Sequence, residues 1–478
     1  MQLTINEEPR ALVERDFAAH AASGRAQVEA MRLGTATYKG VPIKFGYLPK
    51  YFTEEGFHRL KEDLEHTWRI LVRVIERYLE NPAYRALFGF PRELEEMILH
   101  RPAYRTLLPV CRLDLFLNEE TGDFKFCEFN ADGSSAMNEN AELYRTYRDT
   151  LLYREMNARY RQEEFELFDS WVETFLQIYG EAVRGEAGAA GGSAGQDQAG
   201  SGAGDGNRIR GSEDSGADLR PAVAIVDFLE KGSSQAEFEA FREAFERAGC
   251  PAYVAEIREM RFEDGRLLTG DGHPVDAVYR RAVTSDILAH REEVRPFLEA
   301  VRGRKVCLIG DFCTQVVHDK ALFRVLHDPC TASFLSKEDV SFIQRHVPYT
   351  AFLDRETADR PDVRMEREKW ILKPRDSYGA HGIYPGRLCS REEWEAQLQA
   401  RAGTDYILQE FVPPYRTENI YFGKQDPRWE SFSNMTGVYL YGGRLAGIYS
   451  RASVTPIISV EGDEHEMTSI VLRRKQPV

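Results

Sequence analysis

Apolar residues recur at three- and four-residue spacing in two stretches near the start of the chain, PRALVERDFAAHAASGRAQVEAMR and TEEGFHRLKEDLEHTWRILVRVIERYLE. That spacing predicts amphipathic helices, the second starting at Thr53 with Glu55 and Gly56 behind it. The pattern changes to alternation in CRLDLFLNEETGDFKFCEFNADG, 111–133, which predicts two strands around a polar turn. A long helical stretch is expected over 138–183. From Gly185 the chain turns to Gly, Ala, Ser and Asp, with almost no large apolar side chain. Such a segment cannot bury enough surface to offset its ordering entropy, so 185–220 reads as a flexible linker.

Periodic order resumes at PAVAIVDFL, a continuous apolar strand. Helical SSQAEFEAFREAFERAGC, strand AYVAEI, strand AVYRRAV, helical EEVRPFLEAVRG and strand KVCLIGD follow. This alternation predicts a small parallel-sheet α/β domain over 221–310. It has no GxGxxG after its first strand, so no dinucleotide fingerprint. Beyond 311 the elements mix: HDKALFRVLHD is helical, and KWILKP is a strand followed by the loop RDSYGAHGIYPG. YILQEFVPP is a strand, and SNMTGVYLYGGRLAGIYSRAS is a hairpin around its Gly-Gly turn. The fold class is therefore α+β with an α/β subdomain.

In the 111–133 hairpin, a loop from Glu119 to Asp123 sets Leu117 opposite Lys125, Asp114 opposite Glu128 and Arg112 opposite Asn130. Alternation then puts Arg112, Asp114, Glu128 and Asn130 on one face. Two carboxylates directly opposite repel unless a cation lies between them. Phe126, Cys127 and Phe129 make this strand largely buried, and buried carboxylates need partners. Arg112 supplies part of the compensation, and a hard cation such as Mg²⁺, which prefers Asp, Glu and Asn oxygens, would supply more. A solvated polar face is the plainer reading of the same pattern.

Lys373 ends the apolar strand KWILKP, and Gly379 and Gly382 sit in the loop after it. A lysine followed by glycines whose backbone N–H groups can approach an anion is a phosphate grip. Lys320 lies at a helix start, where a phosphate can also be received. Gln409, closing the strand YILQE, can read the edge of a base or form a strand-end polar pair. Arg451 can reach a phosphate or a surface acid. Each lysine or arginine is also, by itself, an ordinary surface residue.

Composition narrows the class. The net charge of −15 argues against a nucleic-acid binder. No apolar run reaches the length of a membrane span, and the N-terminus lacks the basic and apolar regions of a secretory signal. Seven scattered cysteines without a CxxC pair suggest neither a disulfide framework nor a zinc knuckle. The expectation is a cytoplasmic protein with reduced thiols.

RLDL, FCEFNAD, HDKALFRVL, ILKPRDSYGAHG, LQEFV and GVYLYGGRLAGIYSRAS, in that order, resemble the ATP-grasp ligases of the glutathionylspermidine synthetase type. The resemblance covers roughly 108–140 and 310–455 and includes the synthetase part only, with no fused amidase. It implies an ATP-grasp-like catalytic region with an inserted Rossmann-like (pre-ATP-grasp) domain. Residues 1–184 would carry the N-terminal helices and the metal-binding hairpin, and 311–478 the nucleotide-binding region. It implies ATP and Mg²⁺ as cofactors, with Asp114, Glu128 and Asn130 as metal ligands. Arg112 and Arg451 would contact the transferred phosphate, Lys320 and Lys373 the ATP phosphates, with Gly379 and Gly382 in the covering loop, and Gln409 would lie near adenine. The loop RDSYGAHG departs from the Gly-Arg pair usual in that family.

The implied reaction joins a small-molecule or peptide carboxylate to an amine through an acyl phosphate. Arg280, Arg281, Ser285 and Asp286 of the middle domain are further candidates for a substrate pocket. Two alternatives remain open in the sequence: a small-molecule kinase using the same nucleotide site, and a non-catalytic nucleotide-binding protein. Neither the acid, the amine nor the oligomeric state is legible.

Overall fold

Thr53 caps the long helix Glu54–Glu80 of the computed structural model, its hydroxyl accepting from the Gly56 N–H at 3.0 Å. The structure describes residues 3–185, 220–231, 235–377, 379, 381–459 and 462–475. Leu60, Leu64, Leu71, Val74, Ile75 and Tyr78 of this helix are buried, the stripe that its apolar spacing predicts. They meet the hairpin Val110–Leu117/Phe124–Asn130 and the short helices Gln315–His318 and Ala321–Leu326 in one hydrophobic cluster.

The hairpin belongs to a six-stranded antiparallel sheet. Its order is Glu464–Met467, Arg444–Ser453, Glu430–Tyr441, Val110–Leu117, Phe124–Asn130, with Arg416–Asn419 also paired to Glu430–Tyr441. A four-stranded antiparallel sheet lies over it: Thr350–Phe352, Tyr406–Glu410, Trp370–Pro374, Tyr384–Pro385. Between them in sequence, Val223–Asp227, Ala252–Glu256, Ala277–Arg280 and Cys307–Ile309 form a parallel sheet flanked by the helices Gln235–Arg247 and Arg295–Arg302.

Two local expectations are corrected. The first helical stretch is two helices, Glu7–Arg15 and Phe17–Arg32, because Asp16 leaves helical geometry and its carboxylate caps the second at the Ala19 N–H. The stretch 138–183 is three helices, Met137–Tyr147, Leu151–Arg159 and Asp169–Val183. Thr150 caps the second through the Tyr153 N–H, and Tyr160–Glu163 is pulled into strand pairing with Ser469–Arg474, a long-range contact that overrides local propensity. Lys50–Thr53 pairs with the other edge of that C-terminal strand. The 185–220 linker, apart from its end residues, lies outside the described residues. No helix among the described residues is long and apolar enough to cross a membrane.

Candidate active site

The hairpin carries the first part of the site. Arg112 pairs with Asn130 and Asp114 with Glu128, as alternation predicts, but the register shifts after Asp114. Cys127 is the extra residue of a bulge, so Leu115 faces Phe126 and Leu117 faces Phe124 rather than Lys125. The turn is also longer than expected. Asn118 closes it, its side chain accepting from the Glu120 and Thr121 N–H groups and its N–H donating to the Asp123 carbonyl at 2.8 Å. Gly122 takes the left-handed conformation that the turn needs, φ +79°. Glu119 is turned inward, fully buried against Lys50 Nζ at 2.8 Å.

Asp114 is completely buried and fully engaged. Arg112 donates from Nε to Oδ1 at 2.8 Å and from Nη2 to Oδ2 at 3.1 Å. Arg451 Nη2 donates to Oδ2 at 2.6 Å, and Asn130 Nδ2 to the same oxygen at 3.1 Å. Gly437, opposite Asp114 on the neighbouring strand, makes room for this cluster. A Cβ there would lie 2.8 Å from Asp114 Oδ1 and 2.9 Å from Arg112 Cδ. Arg112 is held further by the Ser135 carbonyl at 2.9 Å and stands against the Tyr439 and Tyr449 rings.

Glu128 takes a different cation, Lys320 Nζ at 2.7 Å. Burial opposes the Glu128 charge, but Lys320, with Lys373 and His318 beyond it, outweighs burial and holds its pKa down to about 2. Lys320 is the N-cap of Ala321–Leu326 and also donates to the Ser377 carbonyl at 2.9 Å. Among the described residues Lys373 has no carboxylate contact: its Nζ donates to Gln409 Oε1 at 2.9 Å and to the Cys127 carbonyl at 3.3 Å. Gln409 Nε2 donates in turn to Thr350 Oγ1 at 3.0 Å.

Glu128, Lys320, Lys373, Gln409 and Arg451 converge on one cleft, open to solvent, between the two antiparallel sheets, whereas Arg112, Asp114 and Asn130 do not line it. Phe126, Ile371, Ile383, Met435 and Ile457 line its apolar part, and Glu128, Lys320, Lys373 and Arg451 its charged part. The lining suits a small ligand with a flat apolar group and an anionic tail. Gly379 lines the cleft, at φ +67°. Gly382, at φ +69°, sits behind the loop, where a Cβ would come 2.7 Å from the Tyr406 hydroxyl. The loop base is pinned by Arg375 on Asp319 at 3.2 Å and by Asp376, which accepts from Gln315 Nε2 at 3.0 Å.

Sequence reasoning missed a set of acids beside Arg451. Glu464 lines the cleft, 3.9 Å from Arg451 Nη1, with its Oε2 lacking a hydrogen bond. Burial raises its pKa against the pull of Arg451 and Arg112. Glu466 stands opposite Arg451 on the adjoining strand and is raised well above the carboxylate range by burial, then by Glu139. Glu139 itself is pushed up to about 8 by burial and the nearby Glu237. No motif announces these residues, because only the strand Glu464–Met467 brings two of them to the sheet edge.

Arg280 and Arg281 do not line the cleft. Arg280 Nη1 pairs with Asp132 Oδ1 at 2.5 Å, and Arg281 Nη2 with Glu237 Oε1 at 2.5 Å while Nη1 donates to the Ser134 carbonyl. They fasten the parallel sheet to the hairpin exit at Asp132 and Ser134. Ser285 is exposed and Asp286 half-buried, both away from the cleft lining.

Among the described residues, no cluster of three or more His, Cys, Asp or Glu side chains is placed to hold a metal. The expected set, two carboxylates and an amide, is of a different composition.

No protein-family model and no curated relative matches this chain. Its structure is similar to that of a glutathione synthetase-like effector from Globodera pallida in its apo form. The TM-score is 0.56 at 10% identity, covering 96% of this chain and 97% of that one. A putative gamma-glutamylcysteine synthetase from Methylobacillus flagellatus KT overlaps 83% of this chain and 87% of its own, with a TM-score of 0.38 and 11% identity. The chain thus has a mixed α+β, glutathione synthetase-like fold.

Proposed function

We propose that this protein is an ATP-dependent carboxylate–amine ligase of ATP-grasp type, using Mg²⁺ and passing through an acyl phosphate. The observation that carries this reading is the convergence of Lys320, Lys373, Glu128 and Arg451 at one end of an otherwise apolar cleft. The apolar part would take the base and the charged part the phosphates.

The donor chemistry fits a hard cation. Asp114 and Glu128 are cross-strand neighbours, each already paired with a positive group, and Asn130 spends its amide N–H on Asp114 while its oxygen has no such contact. Asp114, Glu128 and Asn130 would hold Mg²⁺, which when bound would neutralise phosphate charge. Nucleotide binding would then exchange partners. Arg451 and Lys320 would leave their carboxylates for phosphate oxygens, so every buried charge stays compensated. Arg112, tied to the Ser135 carbonyl, would stay in place beside the reacting carboxylate.

A carboxylate is a poor electrophile, and its phosphorylation supplies a leaving group that an amine can displace. The chain's part is alignment, charge stabilisation and exclusion of water. Glu464, at the cleft wall 3.9 Å from Arg451, would take the proton that the amine loses. Ser377 and Gly379, which line the cleft, would lie against the phosphates.

An ADP-release screen of acid and amine pairs, followed by mass analysis, tests the reading. ADP release requiring both partners, with an amide product, supports it; phosphorylated product without an amide indicates a kinase. A non-catalytic role has one observation in its favour: both hairpin carboxylates, Asp114 and Glu128, are closed by ion pairs. ATP binding without turnover of any pair would favour it.

A further inference from the structure

We infer that Gln409 acts on the phosphate end of the nucleotide, as a positioning residue for Lys373, and not on the base. The inference rests on the reading of the cleft as a nucleotide site. Gln409 is 2% exposed and sits on the middle of three paired strands, opposite Thr350 on one side and Ile371 on the other. Its contacts form a chain whose direction is forced. An ammonium can only donate, so the Gln409 oxygen must face Lys373. The amide nitrogen then faces Thr350, whose Oγ1 accepts it at 3.0 Å. The Thr350 hydroxyl proton goes to the Pro348 carbonyl at 3.1 Å. One lone pair of the Gln409 oxygen and one of its amide protons are therefore committed inside the sheet, and the oxygen is turned toward Lys373.

The consequence concerns charge. Lys320 is neutralised by Glu128, but Lys373 is held by the neutral acceptors of Gln409 and Cys127. Both fix the ammonium without cancelling its charge, and its remaining N–H is left for a phosphate oxygen. The Cys127 carbonyl is available because the hairpin bulges at that residue. An acid in place of Gln409 would pair with Lys373 and remove the positive charge that the cleft offers.

The test is equilibrium binding of ATP, ADP, GTP and adenosine to the full chain, comparing wild type with Gln409→Leu, Gln409→Glu and Thr350→Val, each checked for folding by circular dichroism and melting. We expect Gln409→Leu and Gln409→Glu to weaken ATP and ADP about ten- to a hundredfold, the scale of one hydrogen bond to a charged group. Adenosine affinity and the ATP-to-GTP ratio would stay unchanged, and Thr350→Val would reproduce a smaller loss of the same pattern. Equal losses for adenosine and ATP, or a changed ATP-to-GTP ratio, would show that Gln409 reads the base and overturn the proposal. Unchanged ATP affinity in both Gln409 variants would overturn it too. Binding of none of these ligands by wild type would instead sink the nucleotide reading itself, and this proposal with it.

Discussion

Arg451 Nη2 lies 2.6 Å from Asp114 Oδ2, although 337 positions separate the two residues in the chain. Three strands create the contact: Asp114 pairs with Gly437 and Met435 pairs with Arg451, so one central strand sets both acid and base. Asp114→Ala would leave two buried guanidinium groups without their carboxylate. We expect a loss of about 3–5 kcal/mol in unfolding free energy, as for other broken buried pairs, along with loss of ATP turnover. Urea denaturation checks the first and ADP release the second. Unchanged stability would mean that the cluster is solvated in solution.

Gly437→Ala isolates the geometry from the charges. The added methyl would have to displace Asp114 or Arg112 by several tenths of an ångström. Turnover should fall by up to about a hundredfold, the loss that a full ~1 Å misplacement brings, with all charges retained. Steady-state kinetics on the purified variant decides it; wild-type kcat would show that the cluster is not part of the reacting centre.

The buried pair Lys50–Glu119 supplies a control outside the cleft. It anchors the hairpin turn, with Thr4 and Asn6 also donating to Glu119. Glu119→Gln should cost about 3–5 kcal/mol of stability and leave kcat within a few-fold of wild type at a temperature where the variant is folded. A large kcat defect in the folded variant would mean that the turn helps to set the site.

Two carboxyl groups give opposite pH dependences. Glu128 has a folded pKa of about 2, below its ordinary 4.5. Its contribution is fully present above the unfolded value and is lost as pH falls toward 2. Glu139 is raised from 4.5 to about 8, so the folded state binds its proton more tightly than the unfolded chain does. Stability should therefore decline as pH rises from 5 to 8 through this group. In Glu139→Gln that decline should flatten, as read from denaturation midpoints across the range. An identical slope in wild type and variant would remove Glu139 as its source.

What the sequence could tell follows from the range of the interactions. The amphipathic stripe of Glu54–Glu80 and the pairing of Asp114 with Glu128 are set by local periodicity, and both are legible. The bulge at Cys127 is not, because it depends on Asn118 closing the turn and on Glu119 finding Lys50. The hairpin at Asp264–Gly265, both at positive φ, follows from an Asp-Gly signal that is local and legible in the sequence. Arg280 and Arg281 show the limit for charged residues. Their type suggests a substrate pocket, whereas their partners Asp132 and Glu237 come from distant segments and make them fasteners. Glu464 and Glu466 are set beside Arg451 only by the pairing of two strands, which no local pattern announces.

The central claim is that a carboxylate is activated by ATP before an amine attacks it. The most direct test supplies oxygen-18 in the carboxylate of the acid from whichever acid–amine pair stimulates ADP release. The mechanism predicts one labelled oxygen in each phosphate released, matched by amide product. Phosphate carrying oxygen only from ATP and water, with the label retained in the acid, would contradict it.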